Sequence, residues 1–164
     1  MFQAPNIVLR AATSLCLAIA CLSCSTPGRD AQVPSGTGFP LAYFYDDCAP
    51  WDGRALAIVL SHVAMDAPFD LSYPVVRVTS WRPPEVLSGA SVEWSGDAHD
   101  LGYASWCDSE EACRTASRVR VRFDREQVSS EELSGEVYLE FEDRPAVAGF
   151  FKAVRLPQGS FCGG

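Results

Sequence analysis

The chain has 164 residues, of which 48% are hydrophobic and 21% charged, and its formal net charge is −8 at pH 7. This composition excludes a wholly disordered chain, and the length suits one domain with a substantial core. The acidic balance disfavours nucleic acid as a partner, because proteins that bind nucleic acid present a basic face. It also disfavours peripheral binding to an anionic membrane surface.

The first 20 residues have the pattern of a cleaved signal peptide. Arg10 is followed by the uncharged, mostly apolar residues 11–20. This run is shorter than the roughly 20 residues that span a bilayer, but it has the length of a signal-peptide apolar region. We therefore predict a signal peptide over 1–20, or to 23 with later cleavage; a buried N-terminal helix is the less favoured alternative. Removal of Arg10 leaves 12 basic and 21 acidic residues, a net charge of −9.

The end of this segment, Ala18-Ile19-Ala20-Cys21, resembles the bacterial lipobox. The resemblance implies that Cys21 is acylated and attaches the chain to the membrane through lipid. Cys24 follows a poorer box and is the alternative, which parity favours because no thiol is then left over. The same Ala-Ile-Ala also fits ordinary signal peptidase cleavage, which would give a secreted protein. The residue after either cysteine, Leu22 or Ser25, is not Asp, which by resemblance to enterobacterial sorting indicates the outer membrane.

The rest of the chain divides into a tether and a β-rich domain. Residues 21–40 are rich in Gly, Pro, Ser and Thr, which is typical of a flexible tether. We predict a domain over 41–164 with strands separated by turn signals. The clearest strands are these: 55–62, 73–81, 89–95, 118–123, 135–143 and 146–156.

Two of these strands alternate strictly between apolar and charged side chains. In 118–123, Arg118, Arg120 and Arg122 alternate with apolar residues. In 135–143, a row rich in glutamate likewise alternates with apolar residues. Period-two alternation turns one row inward and one outward. If the strands pair antiparallel, the arginines oppose the glutamates, which indicates a solvated, salt-bridged face rather than an anion site.

Strand spacing of about 10 residues predicts an all-β fold, either a single antiparallel β-sandwich or a small β-barrel. Residues 108–116 are the best candidate for a helical turn, with acids after a capping residue.

Four cysteines of the predicted domain form an even set that permits three pairings. We favour Cys107–Cys113, a local loop, and Cys48–Cys162, which would tie the first strand to the last. Outside the cytoplasm disulfides persist, and the spacing of the local pair does not match a zinc site.

Chemistry-bearing residues are few. Asp97, His99 and Asp100 lie in one turn and form a weak candidate metal site, although such a turn needs Asp and Gly anyway. Asp46 and Asp47 are adjacent in a strand, so we expect them to point to opposite faces rather than act as an acid–base pair. No nucleotide, zinc or hydrolase motif is present. We expect no cofactor and no catalytic residues.

Four tryptophans beside turns or strand ends are the remaining candidates for ligand contact: Trp51, Trp81, Trp94 and Trp106. Core or rim packing is the commoner fate of such residues. The region from Gly135 to Cys162 resembles the C-terminal hairpins of small bacterial lipoproteins, through Gly149/Phe151/Ala153 and Gly159/Phe161. That resemblance implies an extracytoplasmic β-domain and no activity.

The hypothesis is therefore a lipid-anchored cell-envelope protein whose non-catalytic β-domain binds a protein or glycan partner or has a structural role. The alternative is a small secreted hydrolase or metal-dependent enzyme that uses the turn around His99.

Overall fold

A computed structural model of the chain describes residues 37–51, 53–68, 70–95, 100–125 and 131–157. Within these ranges the protein contains nine strands and one 3₁₀ turn, Pro84–Val86. None of the described segments forms a helix long and apolar enough to cross a membrane. The strands are β1 (Leu41–Cys48), β2 (Arg54–Ser61), β3 (Val75–Ser80), β4 (Ser91–Ser95), β5 (Gly102–Cys107), β6 (Cys113–Thr115), β7 (Arg118–Phe123), β8 (Glu132–Glu140) and β9 (Val147–Arg155).

The nine strands form one sheet in the order β4-β7-β8-β9-β1-β2-β3-β5-β6. The prediction of an all-β fold is confirmed, but the sheet is mixed rather than purely antiparallel. β1 and β9 run parallel, with Tyr43 opposite Val154, while every other pairing of described strands is antiparallel. The parallel pair arises because the last described strand returns to lie beside the first. The sheet is continuous and curled into a half-barrel, so a sandwich of two sheets is not confirmed.

The curl brings the two ends of the sheet together at residues 116 and 117. The backbone N–H of Ala116 donates to Ala104 of β5, whereas that of Ser117 donates to Glu140 of β8. Arg114 of β6 also pairs with Asp143, just after β8, at 3.2 Å. Strands β6 and β7 are therefore a nearly continuous run that passes from one end of the sheet to the other.

The curled sheet has an inner face, which it encloses, and an outer face. The inner face carries the main hydrophobic core, to which every strand except β6 contributes. Its largest buried side chains include Phe44, Leu56, Leu60, Leu139 and Phe151.

The outer face of β7 and β8 is charged, as predicted. Arg118 lies opposite Glu140, and Arg122 lies opposite Glu136 with a 2.7 Å ion pair. Arg118 and Arg120 also contact Glu93 of β4. The apolar residues between them are buried in the core. The period-two pattern therefore predicts correctly which side chains face the core and which face solvent.

The outer face of β1, β2 and β3 is apolar and covered. It carries a second cluster that includes Tyr43, Tyr45 and Val59. The segment after β2 packs over this cluster through Met65, whose backbone N–H donates to the Tyr43 hydroxyl at 3.2 Å, and through Tyr73. These strands are consequently buried on both faces.

Two boundaries differ from the sequence prediction. Phe39 lies in the core against Trp106, so the folded domain includes residues 37–40, which were predicted as tether. The predicted helical turn over 108–116 is wrong: Asp108 to Ala112 form a turn and Cys113–Thr115 form β6. Pairing with β5 satisfies the backbone of this segment better than one isolated helical turn, which is costly to nucleate. The predicted signal peptide 1–20 and residues 21–36 lie outside the described residues.

Candidate functional site

A concavity lies on the outer face, beside the segment that follows β2, and we call it the outer-face cleft. Its volume is about 560 Å³. The floor consists of Val75 and Arg77 of β3 with Tyr103 and Ser105 of β5. One wall is formed by Leu71 and Tyr73, and the other by Glu110, Thr115 and the Cys107–Cys113 disulfide. A volume of this size lies within the roughly 300–1,000 Å³ of small-ligand sites.

Arg77 is the central polar group of the cleft floor. Its guanidinium lies 5.8 Å from the centre of the Tyr45 ring and 5.6 Å from that of Tyr103. Its Nη2 donates to Asp47 Oδ2 at 2.6 Å, and its Nε is buried without a hydrogen-bond partner among the described residues. The side chain is 27% exposed. Two aromatic rings and one carboxylate thus hold a cation at the base of the cleft.

Burial alone lowers the pKa of Arg77, but Tyr45, Tyr103 and Asp47 outweigh it and raise the pKa above the ordinary arginine value. The guanidinium is therefore charged at every physiological pH. Burial raises the pKa of Tyr45 to about 12, although Arg77 partly opposes this rise. Tyr45 is accordingly a neutral phenol beneath the cation.

Local sequence explains why the cleft floor is close-packed. Gly102, at the start of β5, has a φ of 149°, and a Cβ there would overlap the backbone carbonyl oxygen of Thr79. Only glycine allows β5 to approach β3 so closely at this point, and this approach sets Tyr103 beside Arg77. Further along β5, Cys107 lies directly opposite Cys113 of β6. Their predicted disulfide is confirmed and forms one wall.

Of the other predicted cysteine pair, only Cys48 is among the described residues. Cys48 is disulfide-bonded. Cys162 lies outside the described residues, so the Cys48–Cys162 pairing stays a prediction. Cys21 and Cys24 also lie outside them, and lipid attachment stays a prediction as well.

The four tryptophans occupy different environments. Trp94 points into the core and is 5% exposed, and Trp106 is partly buried against Phe39 and Phe141. Neither therefore forms an exposed platform. Trp51 is 58% exposed, and its ring packs edge to face against that of Trp81 with 5.3 Å between the ring centres. These two tryptophans therefore remain candidates for ligand contact.

Most of the candidate metal turn lies outside the described residues, so this site stays a prediction. Asp97 and His99 lie outside the described residues, and Asp100 is exposed. No group of three or more potential metal ligands occurs in the described part of the chain.

The two adjacent aspartates diverge, as expected for neighbours in a strand. Asp46 faces inward, where it accepts from Arg155 Nη1 at 2.8 Å and from Arg54 Nη2 at 3.1 Å. Asp47 faces outward and accepts from Arg77. Each carboxylate has an arginine partner of its own, so they do not form an acid–base pair.

A smaller groove of about 330 Å³ lies on the charged part of the outer face, beside the exposed Phe150. Its arginines already have close partners: Arg122 pairs with Glu136, and Arg120 contacts Glu93 and the Tyr138 ring. The outer-face cleft is larger, and its arginine is 27% exposed whereas Arg122 of the groove is 57% exposed, so the cleft is the stronger candidate.

Sequence reasoning predicted the disulfide of the cleft wall but did not single out Arg77, the central polar group of its floor. The available signal was Arg77, a single cation within the apolar run of β3, because a lone charge in a strand buried on both faces needs a partner. Tyr73 and Tyr103 were not separable from ordinary packing residues.

Comparisons with protein-family models, with curated proteins and with solved structures return no match for this chain. Fold and site thus define a half-barrel β-domain with an aromatic, arginine-based cleft.

Proposed function

We propose that this protein is a bacterial lipoprotein of the cell envelope, anchored through lipid on Cys21 and facing the periplasm or lying at the outer membrane. Its β-domain is a non-catalytic module that binds a glycan or protein partner. The observation that carries the binding role is the outer-face cleft built around Arg77.

The anchor rests on the sequence. Cys21 follows a lipobox-like Ala18–Ala20 directly after an apolar segment of signal length. Bacterial lipoproteins, which this segment resembles, carry more than one acyl chain, and several chains are what stable anchoring requires.

The binding role rests on the lining of the cleft. The described lining offers hydroxyl groups, phenols and a guanidinium, which are hydrogen-bonding groups suited to recognition. Glu110 is the one carboxylate among the described lining residues, and no base lies beside a hydroxyl or thiol nucleophile there. The disulfide wall and the close β3–β5 packing make the cleft pre-organised, which lowers the entropic cost of binding.

The anchor is tested on the full chain expressed in a bacterial host. Mass spectrometry of the membrane-bound protein should find an acylated N-terminal Cys21. Cys21→Ala should abolish acylation of the N-terminus, whereas Cys24→Ala should leave Cys21 acylated. Acylation at Cys24, or an acylated N-terminus in the Cys21→Ala protein, would contradict the assignment.

The cleft is tested with the lipid contribution removed. The full chain carrying Cys21→Ala and Cys24→Ala should cosediment with isolated cell envelopes. Adding Thr115→Trp, on the exposed edge strand β6, should fill the cleft and abolish cosedimentation. Ser95→Trp places the same side chain on the exposed edge strand β4 and should have no effect. Equal cosedimentation of both variants would refute the binding role of the cleft.

A further inference from the structure

We infer that the outer-face cleft takes an uncharged saccharide, with sugar rings against its tyrosines and sugar hydroxyls on Arg77 and the neighbouring side-chain hydroxyls. This inference rests on the proposed binding function of the same cleft. It is argued from the cleft's surface, its charge and its backbone.

The surface of the cleft alternates aromatic and hydroxyl groups. Tyr73 rises from one wall and Tyr103 from the floor, and both are partly exposed. Ser105 and Thr115 are opposite one another in β5 and β6 and contribute two hydroxyl groups. A sugar ring has apolar C–H faces and a polar rim, so it matches a surface that offers rings and hydroxyls side by side.

The charge of the cleft favours a neutral ligand. Asp47 lies 2.6 Å from the Arg77 guanidinium and offsets its charge, while Glu110 lines the wall. The domain as a whole is acidic. An anionic polymer would meet this negative field with one already paired arginine, which is a poor anion site.

Arg77 nevertheless keeps hydrogen-bonding capacity for a neutral ligand. Its hydrogen bond to Asp47 uses Nη2, and the described residues supply no other hydrogen-bond acceptor to this guanidinium. A guanidinium has five N–H donors in a rigid plane. Its outer N–H groups can therefore donate to sugar hydroxyls while the ion pair with Asp47 stays intact.

The backbone around the cleft disfavours a peptide strand. β3 lies between β2 and β5, and β5 lies between β3 and β6, so both floor strands are already paired on each side. The neighbouring edge strand β6 is three residues long, and its Arg114 is turned toward Asp143. A peptide that binds by strand addition needs a longer free edge than this.

The test uses the full non-acylated chain and isothermal titration with three neutral trisaccharides, the trimers of N-acetylglucosamine, glucose and mannose. At least one should bind, with an affinity insensitive to salt, and trigalacturonic acid should bind at least about tenfold more weakly. Thr115→Trp and Tyr103→Ala should each lower the affinity about tenfold or more, as expected for truncating or blocking an aromatic contact. Ser95→Trp and Tyr138→Ala are the matched controls and should change it less than about twofold.

Thr115 is exposed, so its variant should remain folded even if Tyr103→Ala does not; circular dichroism checks both. Binding of none of the neutral trimers, or preferred binding of trigalacturonic acid, overturns the saccharide inference. If Thr115→Trp still abolishes envelope cosedimentation in that case, the cleft binds another class of partner and the proposed function stands. Trisaccharide binding that Thr115→Trp leaves unchanged places the sugar elsewhere and also overturns the inference.

Discussion

The two parts of the outer face differ in what lies above them. On β7 and β8 the outward row is charged and meets solvent, and its ion pairs are exposed. On β1, β2 and β3 the outward row is mostly apolar, lies beneath the segment after β2, and surrounds the partly buried ion pair Arg77–Asp47. One curled sheet thus combines a solvated surface with a second core, and the outer-face cleft lies at the border of that second core.

Tyrosines at outward positions on the two parts should respond very differently to truncation. Tyr45 of β1 is 2% exposed, whereas Tyr138 of β8 is partly exposed. Tyr45→Ala should lower the free energy of unfolding by about 3–5 kcal/mol, because it leaves a cavity in the second core. Tyr138→Ala should cost less than about 1 kcal/mol. Urea unfolding of the oxidised protein measures both, and equal losses would mean that the outer faces of β1 and β8 do not differ in burial.

The same tyrosine should make stability depend on alkaline pH. Burial raises the pKa of Tyr45 from 10.0 to about 12, so the folded state favours the neutral phenol. Its contribution is fully present below pH 10 and is lost as the pH rises from 10 to 12, because the unfolded chain releases this proton first. The loss should reach about 2–3 kcal/mol, since each pKa unit corresponds to about 1.4 kcal/mol.

Tyr45→Phe is the control, because it retains the ring and removes the titrating group. The difference in unfolding free energy between wild type and Tyr45→Phe should fall over that pH range. Tyr138 gives a contrast, since its pKa is raised mainly by its hydrogen bond to Glu140 rather than by burial. A difference that stays constant from pH 9 to pH 12 would show that Tyr45 is not buried as a neutral phenol.

Two ion pairs of nearly equal length, one on each part of the outer face, differ in burial. Arg77–Asp47 measures 2.6 Å and Arg122–Glu136 measures 2.7 Å, but the arginine side chains are 27% and 57% exposed. Arg77→Gln should cost about 1–3 kcal/mol, because it leaves Asp47 without this partner in a partly buried site. Arg122→Gln should cost less than about 0.5 kcal/mol, and 1 M salt should erase that cost. Comparable losses from both substitutions in urea unfolding would contradict a difference set by burial.

Strands were predictable from the sequence where apolar and charged residues alternate strictly. Arg118, Arg120 and Arg122 lie outward as their alternation predicts, because solvent and core impose opposite preferences on successive residues. β5 was not predicted as a strand, since the glycine and alanine that strands disfavour are interspersed with its Tyr103 and Trp106, and its pairing with β3 holds it in place. The prediction of a helical turn at β6 is wrong because the acids just before this strand resemble a helix start, whereas the strand forms through its pairing with β5.

In the candidate site too, features that depend on nearby residues were predictable, whereas features that depend on distant segments were not. The pairing of Cys107 with Cys113 was predictable, because a short loop between two cysteines restricts their choice of partner. The placement of Trp94 in the core and the exposure of Trp51 were not, since sequence shows how large and apolar a ring is but not which element covers it.

The amino-acid sequence alone was enough to predict the all-β character, the inward and outward rows of β7 and β8, and the disulfide in one wall of the cleft. These depend on residues close together in the chain or on a strict period. Only the tertiary structure decided that β1 lies parallel to β9, that β1 to β3 are buried on both faces, and that Tyr73, Arg77 and Tyr103 meet in one cleft. The physical reason is that these features depend on which distant segments cover or adjoin a strand, and no local pattern encodes that choice.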